Sequence, residues 1–149
     1  MAVLIGYINN FNNFIMKIFY FFFYVFFGTW AQYYHGERDY SYGNAILGGL
    51  TLSILLSLNI LTILLILGCG NIIRILIDNL GLGCISFLLL PFIFVYFSCI
   101  HKKKYLEIRE RFSYMDKNWK KRLLAVLIVF LYWMVSILLF TLSCAYYLK

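Results

Sequence analysis

The sequence predicts an all-α integral membrane protein. The expected architecture is a helical bundle of three transmembrane helices, or four in the alternative arrangement, with an N-terminal helix lying in the membrane interface. Composition and patterning carry this reading. Of the 149 residues, 64% are hydrophobic and only 13% charged, whereas soluble domains are about half apolar and about a quarter charged. Mean hydropathy is +0.86. The apolar residues come in blocks, not at a helical or strand period: 40–73 is uncharged for 34 residues, 79–100 for 22 and 123–148 for 26. A helix rising ~1.5 Å per residue needs about 20 such residues to cross the hydrocarbon core. All three runs are long enough. The length fits one domain, so 1–149 is read as a single membrane unit.

The first 34 residues form an aromatic, amphipathic helix. At 100° per residue, Asn9, Asn10, Asn12, Asn13 and Lys17 share one face, and Leu4, Ile8, Phe11, Ile15 and Ile18 the other, the pattern of a helix in the interface plane. Residues 18–34, "IFYFFFYVFFGTWAQYY", are uncharged but reach only about 25 Å as a helix, barely a membrane core. Their rings suit the headgroup level. Lying in plane is preferred; spanning stays open. A cleaved signal is not expected, because "MAVLIGYINNFNNFIMK" has no early positive charge and four asparagines interrupt its apolar run.

The polar stretch 35–44, "HGERDYSYGN", is a connection with Asn44 as N-cap. The first firm span is 45–67. Next, "NIIRILIDNLGLG" sets Asn71, Arg74 and Asp78 opposite Ile73, Leu76, Ile77 and Leu80. That predicts a short interfacial helix closed by Gly81 and Gly83. The second span, 84–100, holds the chain's one proline, Pro91, which cannot bond to the carbonyl of Phe87. A kink tolerated through neighbouring helices or hydroxyls such as Ser86 is expected there. The third span is 123–145, ending at an aromatic and basic anchor, "YYLK".

Residues 101–122 carry nine of the thirteen Lys and Arg residues against three acids. Short basic loops beside spans stay in the cytoplasm. This segment is therefore cytoplasmic in a bacterial inner (cytoplasmic) membrane, with the C-terminus outside. Cys69, Cys84 and Cys144 then lie near the outer surface and Cys99 near the inner one. Tyr105, Ile108, Phe112, Met115 and Trp119 recur every three or four residues. Glu107 precedes Arg111, and Asp116 precedes Lys120, in the favourable order for helix ion pairs. The second span is expected to continue as an amphipathic helix, or Asp116 to cap a new helix leading into the third. Its stripe either docks a partner or, as preferred, lies on the bilayer or packs inside the hairpin. Lys102, Lys103, Lys104, Lys120, Lys121 and Arg122, with Ile108, Phe112 and Trp119, are the candidate lipid- or partner-facing residues, set against anionic headgroups. The net charge of +7 is thereby assigned to lipid; no zinc-finger spacing or phosphate loop suggests nucleic acid.

In the first span Ala45, Gly49, Ser53 and Ser57 fall at intervals of four, a face that lets helices approach closely. Packing against the protein's own spans is preferred over self-association. Asn59 should point into the bundle, toward Ser136 or a backbone carbonyl, with Thr62 sharing its network.

None of the three firm spans carries Asp, Glu, Lys or Arg, against what proton-coupled transporters and voltage sensors need. There is no C-x-x-C, and the four cysteines read as small hydrophobes, with a Cys69–Cys84 disulfide the alternative. His35 and His101 lack ligand-spaced neighbours, so no metal or other cofactor is expected. "HGERD" reads as a solvated turn, because a catalytic set demands mutual orientation.

With "FNNFIMKIFYFFFYVF", "GNAILGGLTLSILLSLNILTILLIL" and "KKKYLEIRERF" before a final span, the layout resembles small membrane proteins of Bacteroidota-type genomes. The aromatic N-terminal helix, the Asn59-x-x-Thr62 element and the basic cytosolic helix carry the likeness. It implies no activity. The expected role is non-enzymatic: an accessory protein binding a membrane partner or another copy of itself, for instance a toxin-immunity protein. The alternative is a homo-oligomeric pore or channel, a defence or lysis effector assembled through the 45–57 face.

Overall fold

In the computed structural model, residues 2–35, 41–69, 71 and 80–147 are described, except for the side chains of 2–10, 31–35, 80–86 and 147. All regular elements among them are helical. The loop 36–40, most of the expected interfacial helix (72–79) and the side chain of Cys84 lie outside the described residues. So, therefore, do the "HGERD" turn and the Cys69–Cys84 pairing.

Helix α1, Ala2–His35, is unbroken over 34 residues, with no proline to remove a backbone donor. Helix α2 is Tyr42–Ile66, and its N-cap is Ser41, whose hydroxyl accepts from the Asn44 N–H at 3.4 Å. Asn44 is thus not the cap but a buried residue of the first turn. The extended backbone of Ser41 (φ −73°, ψ 163°) is the geometry a cap requires. At the other end Gly68 is left-handed (φ 76°). Its N–H bonds to Leu65 O and that of Cys69 to Leu64 O, a Schellman closure.

Helix α3, Leu80–Val95, contains Gly81 and Gly83, so they do not close a helix as expected. It passes into a π turn, Tyr96–Ile100. Pro91 leaves the Phe87 carbonyl without its helical donor. The Ser57 hydroxyl of α2, shared with its own Ser53 carbonyl, reaches it at 3.2 Å. The span does not run on as one helix into the basic segment. At 101–103 the chain turns sharply, with Lys102 (φ 55°) and Lys103 (φ 61°) both left-handed. Helix α4, Lys104–Asp116, follows. Helix α5, Trp119–Tyr147, is capped by Asn118 and not Asp116: Asn118 Oδ1 accepts from Lys120 N–H at 3.1 Å and Lys121 N–H at 3.4 Å.

Contacts fix the arrangement. Phe27 of α1 meets Gly48 of α2, while Ile15 to Phe22 face Leu52 to Asn59. The two helices therefore run antiparallel, α1 alongside α2 for most of its length. Trp30 Nε1 donates to Thr51 Oγ1 at 2.9 Å near the basic end. Helix α3 is antiparallel to α2, with Val95 and Ile100 at Gly49 and Phe87 at Ser57. Helix α5 is antiparallel to α1: Arg122 Nη2 donates to Gly28 O at 3.5 Å, and Tyr132 stacks edge-on against Phe22. The fully buried Phe23, Phe27, Val95 and Cys99 belong to the core.

Helix α4 crosses α1. Tyr105 lies 5.7 Å from Phe27, Phe112 5.4 Å from Tyr24, and Met115 beside Val25 and Gly28. The eleven residues 105–115 of α4, about 15 Å from end to end, thus stay against the stretch 21–28 of α1.

Among the described residues, three helices are long and apolar enough to cross a membrane: Phe11–Trp30, Tyr42–Ile66 and Trp119–Tyr146. This makes the chain a small multi-pass membrane protein. Two of the three coincide with the first and third expected spans. Phe11–Trp30 belongs to the segment for which the sequence left spanning and in-plane placement open. The second expected span is divided between α3, which has 16 residues, and the π turn.

Candidate functional site

Two regions gather the polar chemistry. The first is the layer at the middle of the long helices. The small-residue face of α2 is used internally. Ala45 is fully buried, and a Cβ on Gly49 would lie 2.9 Å from Ile100 Cδ1. Ser53 and Ser57 are buried and return their hydroxyls to Gly49 O and Ser53 O. Gly48, outside the predicted set, lies against the backbone of a neighbouring helix: a Cβ there would stand 2.9 Å from Phe27 Cα and N. The adjacent pair Gly48–Gly49 was the sequence signal for it. One glycine faces α1 and the other α3.

Asn59 is half-buried and donates from Nδ2 to the Tyr132 hydroxyl at 3.0 Å. Its partner is thus Tyr132 and not Ser136, whose hydroxyl bonds back to Tyr132 O. Thr62 returns its hydroxyl to Leu58 O. Trp133 Nε1 is buried without a partner among the described residues. Side-chain hydrogen bonds between membrane helices are worth about 0.6 kcal/mol, rarely above about 1.7. A double-mutant cycle with Asn59→Leu and Tyr132→Phe, read by unfolding in mixed micelles, is expected to return a coupling in that range; additivity would deny the bond.

On the outward face of α1, Asn12, Asn13 and Lys17 are exposed. Lys17 lies between Ile15 and Ile18, which face α2 at Leu52 to Asn59. A cation therefore sits inside the apolar window Phe11–Trp30, a feature that the expected spans 45–67, 84–100 and 123–145 lack.

The second region is the basic end. The stripe of α4 is packed inside: Tyr105, Ile108 and Met115 are buried, and Phe112 contacts Tyr24 and Phe21. Trp119 departs from the stripe. It starts α5, is 69% exposed, and has Lys120 Nζ 6.0 Å from its ring. Lys121 Nζ lies 5.7 Å from the Tyr114 ring. Lys102 and Lys103 are exposed, and Lys104 lines a cavity with Tyr20, Ser98, Glu107, Ile108 and Arg111. Of that lining, only Lys104 and Ile108 were named as site residues from the sequence. Glu107 and Arg111 lie beside them on α4, whereas Tyr20 and Ser98 are distant in the chain and meet them only because α4 folds back. Among the described residues no group of three His, Cys, Asp or Glu is placed to hold a metal ion.

Comparison with protein-family models, with curated proteins and with solved structures finds no match to this chain.

Proposed function

We propose that the protein is a non-enzymatic accessory protein of a bacterial cytoplasmic membrane that acts by binding a membrane partner. Immunity to a membrane-active toxin is one concrete form. The observation that carries this is the exposed Asn12–Asn13–Lys17 face of α1, with Lys17 within the stretch that faces Leu52 to Asn59 of α2 and the asparagines about one turn nearer the N-terminus. An ammonium group held in hydrocarbon is costly, and intramembrane charges are retained where something pairs with them. The occupant of this face is accordingly a transmembrane helix that presents a carboxylate to Lys17 and amides or hydroxyls to the asparagines. Because α1 lies antiparallel along α2, its crossing makes the bundle four-spanning. By the positive-inside rule the basic end is cytoplasmic and both termini are outside. A pore assembled through Ala45, Gly49, Ser53 and Ser57 is not proposed, since the protein's own helices occupy that face.

A photo-crosslinker at position 13, in membranes of the producing cells, is expected to give a discrete protein adduct. That adduct is lost in Lys17→Leu and kept in Lys17→Arg. The same probe at Leu139, an exposed α5 position, gives none. Equal labelling at both positions, or an adduct indifferent to Lys17→Leu, would refute the reading. An adduct at twice the chain mass would make the occupant a second copy and remove the heterologous partner. Ion flux from liposomes holding the purified protein would restore the pore.

A further inference from the structure

We propose that the bundle seats one anionic phospholipid, its phosphate held between α1 and α4 and an acyl chain laid in the cleft between α2 and α3. This rests on the chain lying in a bilayer and is independent of the α1 partner.

The headgroup end is a cavity of about 320 Å³ lined by Tyr20, Ser98, Lys104, Glu107, Ile108 and Arg111, within the ~300–1,000 Å³ range of small-molecule sites. Two cations against one carboxylate leave the lining positive. A guanidinium fork and an ammonium are the groups that hold phosphate oxygens best, and the Tyr20 and Ser98 hydroxyls add neutral donors. Glu107 can accept from a hydroxylated headgroup such as glycerol.

This cavity exists because of unfavourable backbone. Ser98 sits in the π turn, and Lys102 and Lys103 hold left-handed φ values of 55° and 61°. Such a conformation costs about 1–2 kcal/mol per non-glycine residue, and strain and π turns concentrate at functional sites. Here the left-handed pair turns α4 back across α1, bringing Lys104 and Arg111 over Tyr20.

A second cavity identifies the ligand as a lipid. Ser98, Phe94 and Leu90 follow at intervals of four, so one face of α3 leads from the charged cavity toward the bundle's middle. Phe94 and Leu90 line a cleft of about 410 Å³ whose other walls are Leu56, Ile60, Phe87 and Pro91. The Phe94 ring stands 5.4 Å from that of Phe19, next to Tyr20. A cationic chamber at the basic end, one turn along the same helix face from an apolar cleft, has the polarity sequence of a phospholipid. Basic pockets between helices at a membrane surface take such headgroups. Free phosphate would use only the first chamber.

Native mass spectrometry of the full chain in dodecyl maltoside tests this, with phosphatidylglycerol, phosphatidylcholine and inorganic phosphate as probes. One phosphatidylglycerol per chain should be retained in preference to phosphatidylcholine. Lys104→Gln with Arg111→Gln should weaken retention about tenfold, a conservative loss for two charge-assisted contacts. Arg109→Gln with Lys117→Gln, which removes the same charge from exposed positions outside the cavity lining, should leave it unchanged. Leu90→Trp, filling the tail cleft with every charge intact, should weaken it too. Equal loss in the two charge pairs would mean a diffuse basic surface and overturn the site. Equal retention of phosphatidylcholine would overturn the anionic headgroup. Phosphate competing fully while Leu90→Trp is silent would overturn the lipid.

Discussion

Gly48→Val is expected to destabilise the bundle by about 3 kcal/mol, the upper part of the usual range for overpacking. The reason is what the new atoms would meet. A Cβ alone at position 48 would stand 2.9 Å from both Cα and N of Phe27. Those are backbone atoms of a rigid helix, so no rotamer change relieves the clash; α1 and α2 must separate. Separation also strips contacts from Phe23 and Phe27, which are fully buried, and lengthens the Trp30–Thr51 hydrogen bond. Two neighbouring glycines calibrate the claim. At Gly49 a Cβ meets Ile100 Cδ1 at 2.9 Å, the end of a side chain that can swing, so Gly49→Ala should cost about 1 kcal/mol or less. At Gly28 nothing lies within 4 Å, and Gly28→Ala should stay within about 0.5 kcal/mol. Unfolding in mixed sodium dodecyl sulfate–dodecyl maltoside micelles, followed by tryptophan fluorescence, gives the ranking. Equal effects at 28 and 48 would remove the close approach of α1 and α2, and with it the depth assigned to Lys17.

That depth marks where sequence reasoning succeeded and where it ran out. The apolar block giving α2 was legible to within three residues at its start, because so long an uncharged run leaves few alternatives. The small-residue spacing was legible as a packing face. Its partners were not, since Gly48 and Gly49 differ only in which neighbour each meets. Helix α1 was harder. Its asparagines and Lys17 make an amphipathic pattern, which on its own suits an interface. The antiparallel seam from Phe27–Gly48 to Ile15–Asn59 is tertiary information that no local period encodes. The caps failed for a related reason. Asn44 and Asp116 are good capping residues, but so are Ser41 and Asn118, one short step away, and the cap is whichever residue takes the extended backbone. Least legible was the basic cavity. Two lysines in left-handed conformation contradict their local preference, and a turn there follows only if α4 gains more by docking on α1 than the turn costs.

That balance gives the second large effect. Ile108→Asp is expected to release α4 from α1, because it would put a carboxylate at a site only 5% exposed. Ile108 shares its cavity with Tyr20, Ser98, Lys104, Glu107 and Arg111. The two cations offset part of the new charge, but the aspartate forfeits the buried isoleucine contacts, and desolvating a carboxylate at that depth still costs several kcal/mol unless the group neutralises or the structure opens. Opening is the easier route here. Helix α4 is joined to α3 through a strained turn, its own exposed face carries Lys, Arg and Glu, and solvent lies beside it. Once undocked, α4 keeps no reason to hold Lys102 and Lys103 left-handed, so the turn relaxes and 13 residues become accessible. Trypsin should then cut after Arg109 and Arg111 at least tenfold faster than in the parent, since cleavage follows the population of the open form and tenfold corresponds to about 1.4 kcal/mol. Leu106→Asp, at a position 40% exposed on the opposite side of α4 with Arg109, Glu110 and Ser113, separates docking from a mere change of charge: it should leave the cleavage rate within about twofold, as surface substitutions do. If Leu106→Asp and Ile108→Asp are cut alike, α4 is not held by its stripe. The same experiment bears on the stripe's purpose. A helix that kept Ile108, Phe112 and Met115 for an external partner would tolerate aspartate in the isolated protein and fail only when the partner is present, whereas a helix that spends them on α1 loses its place at once.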